Sequence, residues 1–146
     1  MPNSFIADAK LLEALKQRSI PMPCLKGVAL FKQGDSPIGL YIIRSGKASL
    51  LMKTEDGKEV VHLTVGGGSI LGLPAIVANE PYTLSAMAHH GAEVDFVSRK
   101  GFEELIQSQL SLYPKVLEIL AAEVRSARFV LSGVMGKLRS RPSRSV

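Results

Sequence analysis

Cysteine and aromatic residues are scarce in this sequence. Cys24 is the single cysteine among 146 residues, tryptophan is absent, and aromatic side chains make up 5% of the chain. One cysteine excludes an internal disulfide framework, and it also excludes a four-cysteine zinc or iron–sulfur site within one chain. Cys24 is therefore expected to be a small packed thiol rather than a reactive one.

A membrane-spanning segment is also not expected. Residues 60–79 contain no Asp, Glu, Lys or Arg, and this is about the length that a bilayer requires. Three glycines at 66–68, Gly72 and Pro74 interrupt the stretch, and a lipid-exposed helix with these breaks would leave backbone groups unsatisfied. The chain opens without the basic and apolar regions of a secretory signal. We therefore expect a cytoplasmic protein, with a buried strand, a tight turn and a short ligand-side segment in this region.

Acidic residues are absent from the last ten positions. Residues 137–146 hold four of the 18 lysines and arginines, so the rest of the chain has 14 of them against 13 Asp and Glu. Most of the net charge of +5 therefore comes from a basic tail rather than from a basic domain. Such a tail can contact phosphates weakly and without sequence preference. We expect no sequence-specific DNA binding from this chain alone.

What the sequence does contain is a β-rich centre. Leu11, Leu12 and Leu15 have helical spacing, and Asp8 can be the N-cap of this helix. This N-terminal helical segment (1–25) is predicted to end at the Pro21-Met22-Pro23 break. Beyond it, short apolar runs alternate with glycines, and Asp56-Gly57 is a hairpin signal. The runs that suit strands are 28–31, 40–43, 48–52, 60–65, 83–88 and 94–97. The spacing is typical of a β-sandwich or barrel.

A long amphipathic helix is predicted after this centre. Ser98 can cap a short helix, and Pro114 suits the first turn of a second helix over 113–138. Apolar residues then recur at alternating steps of three and four, which is a heptad seam. A helix of this length reaches roughly 38 Å, more than a small domain needs for its own cover. We expect a parallel homodimer whose interface residues are Leu117, Leu120, Val124, Ala127, Leu131 and Val134.

Three stretches carry a family resemblance: LFKQGDSPIGLYIIRSGKASL (30–50), EDGKEVVHLTVGGGSILGLPAIV (55–77) and EVDFVSRKGFEELI (93–106). They resemble the effector domain of the Crp/Fnr regulators and the wider cyclic-nucleotide-binding domain family. The resemblance implies a mainly β fold: an eight-stranded jelly-roll sandwich (a double-stranded β-helix) with flanking helices and a long C-terminal dimerisation helix. The cyclic-nucleotide-binding-like domain then covers 26–138 and the basic tail 139–146.

The resemblance also implies a cassette that holds the phosphate of a cyclic nucleotide, and this chain departs from it. Family members place a glutamate against the ribose and an arginine against the cyclic phosphate; here Leu73 and Tyr82 stand at those positions. Loss of both charged groups would cost on the order of 3–5 kcal/mol of binding free energy. A cyclic nucleotide bound in the usual way is thus not expected, which leaves a carboxylate or weak anion, a less polar effector, a peptide, or no ligand as the open alternatives. The candidate pocket comprises Gly72, Leu73, Pro74, Ala75, Tyr82 and Thr83, closed by Leu131 and Ser132 of the long helix.

No arrangement of nucleophile and base, and no metal-ligand spacing, stands out in the sequence. His89 and His90 are adjacent, so on a strand they would point to opposite faces and could not ligate together. We predict a non-catalytic, ligand-sensing regulatory module without a cofactor or metal. It would act as a homodimer with a small-molecule effector and a protein partner. The alternatives are the effector half of a Crp/Fnr-type transcription regulator without its DNA-binding domain, and a ligand-free dimerisation module.

Overall fold

Two antiparallel sheets form the body of the protein. The computed structural model describes residues 8–24 and 26–121, with residues 23 and 24 as backbone. Within these residues, eight strands form two sheets of four. The first sheet has the order β1 (Ser19–Cys24), β8 (Ala92–Ser98), β3 (Gly39–Ser45), β6 (Ile70–Leu71). The second has the order β2 (Val28–Phe31), β7 (Ser85–Ala88), β4 (Ala48–Lys53), β5 (Glu59–Val65). The predicted mainly β sandwich with flanking helices is confirmed.

Helices flank the sandwich. They are α1 (Ala9–Lys16), α2 (Leu73–Ala78), α3 (Arg99–Ser108), a 3-10 turn (Leu110–Leu112) and α4, which begins at residue 113 and continues to residue 121. Both predicted caps are confirmed. The Asp8 carboxylate accepts from the Lys10 N–H over 2.8 Å, and the Ser98 hydroxyl accepts from the Gly101 N–H over 3.0 Å. None of the helices in the described part of the chain is long and apolar enough to cross a membrane.

Each predicted strand overlaps an observed one, although the predicted run 83–88 begins two residues before β7. Asp56-Gly57 lies in the turn between β4 and β5, which pair from Ala48↔Val65 to Lys53↔Glu59. Gly57 has φ +84°, the left-handed conformation that this turn requires and that glycine adopts without strain. The local turn chemistry therefore determines how these two strands meet.

One sequence prediction was wrong. The stretch Pro21-Met22-Pro23, predicted to be a break after the N-terminal helix, lies in β1 and pairs with β8. Since β1 is at the edge of the first sheet, a proline there need not donate to a neighbouring strand on the outer side. The segment 1–25 thus holds a strand as well as a helix.

The core consists of two apolar clusters on opposite faces of the first sheet. Strand β3 contributes side chains to both clusters, because alternate side chains of a strand point to opposite faces of the sheet. The sandwich cluster lies between the sheets and contains Leu30, Phe31, Tyr41, Ile43, Ala48, Leu50, Leu71, Ala75, Tyr82, Ala86, Ala88, Ala92 and Val94. The helix-side cluster contains Leu11, Ala14, Leu15, Leu40, Ile42, Ile70, Leu73, Ile76, Val97, Phe102, Leu105, Leu112, Val116 and Ile119. The second cluster joins α2 to the start of α4.

Most of the predicted dimer seam lies beyond the described residues. Pro114 lies in the first turn of α4, as predicted. Leu117 is 48% exposed, while Leu120 packs against the helix-side cluster of its own chain. The rest of the predicted helix to residue 138, the tail 139–146 and four seam residues lie outside the described residues: Val124, Ala127, Leu131 and Val134.

Candidate ligand site

The predicted ligand segment lies between β6 and β7 and contains α2. Gly72 is the N-cap of α2 and has φ +89°, a conformation that any other residue would adopt only with strain. Pro74 follows in the first turn of α2, where its missing N–H removes no helical hydrogen bond. The chain can therefore turn sharply out of β6 and bury Leu73 and Ala75.

Tyr82 fills the interior beside this segment. Its side chain is 3% exposed in the sandwich cluster, and its ring stacks on Phe31 with 4.1 Å between the centroids. The hydroxyl donates to the Gly39 carbonyl oxygen over 2.7 Å and accepts from the Ile38 N–H over 3.2 Å. The backbone N–H and carbonyl of Tyr82 both bond to the turn that follows β2. A neutral, hydrogen-bonded phenol thus occupies the position at which the resemblance implies an arginine.

Gly72 is the cassette residue that faces Tyr82. A Cβ atom at residue 72 would lie 3.1 Å from Cε1 of Tyr82 and 3.3 Å from the Gly39 carbonyl oxygen. The absence of a side chain at this position therefore lets the phenol lie close to the N-cap of α2. A larger residue here would point at the Tyr82 ring.

The structure separates Leu73 from Tyr82. Leu73 is fully buried in the helix-side cluster, whereas Tyr82 and Ala75 belong to the sandwich cluster. Pro74 and Thr83, also predicted pocket residues, are exposed. Only Gly72, Ala75 and Tyr82 of the predicted set come together between the sheets. Two more predicted pocket residues lie outside the described residues: Leu131 and Ser132.

Three further aromatic rings line the interior next to Tyr82. The Tyr41 ring lies 5.6 Å from Phe31 and 5.1 Å from Phe96, measured between centroids. Burial, with a smaller contribution from Tyr82, raises the pKa of Tyr41 to about 12. Neither Phe31 nor Tyr41 stands out in the sequence as a site residue. The sequence feature that could have identified them is that both lie in predicted strands, at positions whose side chains face the interior.

A charged cluster lies apart from this site. Arg44 donates from Nε to Oδ1 of Asp95 over 2.8 Å and from Nη1 to Oε2 of Glu93 over 2.6 Å. The hydrogen bond that Arg44 donates to Asp95 is the main cause of the raised pKa of Arg44. Asp95 is buried, yet its neighbours Val94 and Phe96 belong to or pack on the sandwich cluster, so Asp95 points to the opposite face of the sheet. This pair therefore supplies no charge to the interior between the sheets.

The two adjacent histidines do not act together. His89 lies 2.7 Å from the Ser49 hydroxyl through Nε2, and its backbone N–H donates to the Lys47 carbonyl oxygen. His90 is exposed. The contacts of His89 therefore fix the turn between β7 and β8.

Known proteins that are similar to this chain in sequence or fold include regulators. A 110-residue alignment with the cAMP-activated global transcriptional regulator CRP of Escherichia coli has 30% identity and covers 75% of this chain and 50% of that protein. The catabolite activator protein of Thermus thermophilus superposes with a TM-score of 0.67 at 25% identity, over 95% of this chain and 63% of that one. The c-di-GMP responsive global regulator CLP of Xanthomonas campestris has a TM-score of 0.76 at 19% identity, over 92% and 66%.

The chain thus spans half the length of the E. coli relative. A family description, the cyclic nucleotide-binding domain, matches residues 22–109. The match runs from β1 into the residue that follows α3, and so includes both sheets, α2 and Tyr82. This chain belongs to the cyclic nucleotide-binding domain family, and its relatives include Crp-type regulators.

Proposed function

We propose that this chain is a non-catalytic, ligand-sensing regulatory module that acts as a cytoplasmic homodimer and does not recognise a cyclic nucleotide in the family's usual way. Membership of the family and the regulatory relatives support the sensing role. The main observation against the usual binding of a cyclic nucleotide is the environment of Tyr82. Its buried phenol stacks on Phe31 and donates a hydrogen bond to Gly39.

A cyclic phosphate is poorly matched to these surroundings. Its negative charge loses hydration on entering the protein and needs cations or several N–H donors in return. Among the described residues, Asp95 is the one charged residue that is buried, and Arg44 already neutralises it. The surroundings of Tyr82 therefore favour an uncharged effector over a phosphate.

Two features support the proposed homodimer: the predicted heptad seam and the exposure of side chains at the start of α4. Val116 and Ile119 are buried against the chain's own domain, whereas Leu117 is left half-exposed at a seam position. A second copy whose α4 packs in parallel would cover Leu117 and continue the seam. Leu120 lies between the two environments and packs partly on its own domain.

Titration calorimetry with cyclic AMP and cyclic GMP tests the proposal. We expect dissociation constants in the high micromolar range or weaker for the wild type. A submicromolar constant for either nucleotide would overturn the proposed departure.

Two double variants refine this test. Gly72→Glu with Tyr82→Arg places a carboxylate and a guanidinium at facing positions, and it should bind cyclic AMP more tightly than the wild type. Leu73→Glu with Tyr82→Arg is the matched control, because residue 73 faces the helix-side cluster. Equal affinities of the two variants would contradict the assignment of Gly72 as the facing position.

A second candidate function is the effector half of a Crp/Fnr-type transcription regulator. It is favoured by the alignment with E. coli CRP, which covers half of that protein. The length of the encoding reading frame decides between the two candidates. A DNA-binding helix-turn-helix encoded downstream would support the second.

A further inference from the structure

Tyr41 carries a polar atom that its surroundings do not use. The side chain is 3% exposed and belongs to the sandwich cluster, between the rings of Phe31 and Phe96. Across residues 8–24 and 26–121, no hydrogen bond satisfies its hydroxyl, whereas the neighbouring Tyr82 hydroxyl is fully engaged by Gly39 and Ile38. Buried polar groups in native proteins are nearly always paired with protein, water or a ligand. The Tyr41 hydroxyl is therefore a free donor in an apolar interior.

An apolar row leads from the surface to this donor. Ile20 of β1 pairs across the sheet with Phe96 of β8, and Phe96 pairs with Tyr41 of β3. Directly paired residues lie on the same face of a sheet. Exposure falls along the row, since Ile20 is 66% exposed, Phe96 is half-buried and Tyr41 is buried. The inner face of the first sheet is thus open at the β1 edge and closed at β3.

Phe96 is the side chain that separates the surface from Tyr41. A Cβ atom at residue 39 would lie 2.5 Å from Cε1 of Phe96, so the phenyl ring rests directly on the backbone of Gly39. Because glycine leaves this space free, the ring can lie against the strand at residue 39. Rotation of this half-buried ring away from Gly39 would open the path between Ile20 and Tyr41.

The chemistry of the row defines what it would accept. Its walls are aliphatic and aromatic, which suits a flat apolar molecule. Its one polar group is a neutral donor, and the buried carboxylate of the same strand, Asp95, faces away and is paired with Arg44. An anion or a cation would find no countercharge there. A hydrogen-bond acceptor such as a carbonyl oxygen would satisfy the Tyr41 hydroxyl.

We propose that Ile20, Phe96 and Tyr41 form the entry and binding surface for a small, planar, uncharged molecule whose acceptor atom takes a hydrogen bond from the Tyr41 hydroxyl. This rests on the proposed ligand-sensing function and names the chemical class of its effector. The site lies next to the cassette, because the Tyr41 ring contacts Phe31, which stacks on Tyr82. A ligand at Tyr41 can therefore act on the Tyr82 ring that faces Gly72 and the start of α2.

A pair of nearly isosteric probes tests the proposal on the full chain. Acetophenone is planar, neutral and carries a carbonyl acceptor, whereas α-methylstyrene has the same shape without the acceptor. Titrations followed by amide shifts of the 15N-labelled protein give both dissociation constants. We expect acetophenone to bind about tenfold more tightly than α-methylstyrene, the upper range for one hydrogen bond. The largest shifts should occur at residues 20, 41 and 96.

Tyr41→Phe is the decisive variant, because it removes the hydroxyl and keeps the ring. It should bind both probes equally, and Tyr113→Phe, which removes an exposed hydroxyl, should keep the tenfold preference. Equal binding of the two probes by the wild type, a preference that survives Tyr41→Phe, or no binding of either probe up to its solubility limit would each overturn the proposal. These outcomes are separate from tight cyclic nucleotide binding, which would overturn the proposed function and leave the probe comparison unchanged.

Discussion

The ring of Tyr82 lies on the ring of Phe31, with 18° between their planes. Phe31 ends β2 in the second sheet, and the Tyr82 hydroxyl is held by Gly39 at the start of β3 in the first sheet. One side chain from the cassette therefore connects both sheets. The same side chain limits the size of the residue at position 72.

Tyr82→Phe keeps the stacked ring and removes the hydroxyl. The Gly39 carbonyl oxygen then loses its partner in a buried setting, and the Ile38 N–H loses one at a partly buried position. We expect the free energy of unfolding to fall by about 1–3 kcal/mol. Urea denaturation followed by circular dichroism measures the change. Tyr113→Phe is the control, since that residue is exposed and should shift stability by less than about 0.5 kcal/mol. Equal stability of Tyr82→Phe and the wild type would contradict the role of the hydroxyl.

Gly72→Ala combines backbone strain with a close contact. Gly57 has a similar φ of +84° with nothing within 4 Å of an added Cβ, so Gly57→Ala reports the strain alone. We expect Gly57→Ala to cost about 1–2 kcal/mol. Gly72→Ala should cost about 1 kcal/mol more, because the Cβ presses on Tyr82 and β3. Thermal and urea unfolding of both variants gives the difference, and a larger loss for Gly57→Ala would refute it.

Asp95→Asn removes the charge that Arg44 binds through Nε. The Asp95 side chain is 7% exposed, whereas that of Glu93, the second acid on Arg44, is 58% exposed. We expect Asp95→Asn to lower the free energy of unfolding by about 2 kcal/mol, as for a hydrogen bond between charged groups. Glu93→Gln, which removes an exposed partner, should cost less than about 1 kcal/mol. Denaturation midpoints of both variants at low and high salt measure the two losses of stability. A larger loss for Glu93→Gln than for Asp95→Asn would contradict the prediction.

Stability should fall at alkaline pH through Tyr41. Its pKa is raised from 10.0 to about 12 by burial, so the unfolded chain loses this proton first as the pH rises. The neutral phenol therefore stabilises the folded state below pH 10, and this contribution is lost progressively as the pH approaches 12. The loss should reach about 1 kcal/mol by pH 11.

Tyr41→Phe removes this titration. Its stability relative to the wild type should rise by the same amount between pH 9 and about pH 11, measured by urea denaturation. Tyr113→Phe should show no such rise. A constant difference between Tyr41→Phe and the wild type over this range would mean that Tyr41 ionises equally in both states.

The seam predicts a dimer that a single charge can split. Val124→Glu would place a charge from both chains at one symmetric position, where burial is costly. Sedimentation velocity at tens of micromolar should give a dimer for the wild type and a monomer for Val124→Glu. Glu118→Gln, at an exposed position of α4 outside the seam, should leave the dimer intact. A monomeric wild type at these concentrations would refute the predicted homodimer.

Local sequence was sufficient for several elements. The cap of α1 depends on Asp8 and the N–H two positions later, and the cap of α3 on Ser98 and the N–H three positions later. The turn between β4 and β5 depends on the left-handed preference of Gly57. These features involve residues a few positions apart, so their physical chemistry can be read directly from the sequence. The resemblance to the family extended these local predictions to the eight-stranded sandwich with flanking helices.

The site required long-range contacts. The local conformational preference of Pro21 and Pro23 disfavours a strand. A strand can form there only because β1 lies at the edge of the sheet beside β8. Leu73 and Ala75 are two positions apart on α2, and the packing of that helix between two clusters decides which one faces Tyr82. The stack of Phe31 on Tyr82 and the unpaired hydroxyl of Tyr41 depend on strands distant in the sequence. The sequence by itself thus determined most of the elements and the family. The tertiary structure alone decided the strand at Pro21–Pro23 and which side chains share the interior, because burial and pairing are properties of the packed sheets.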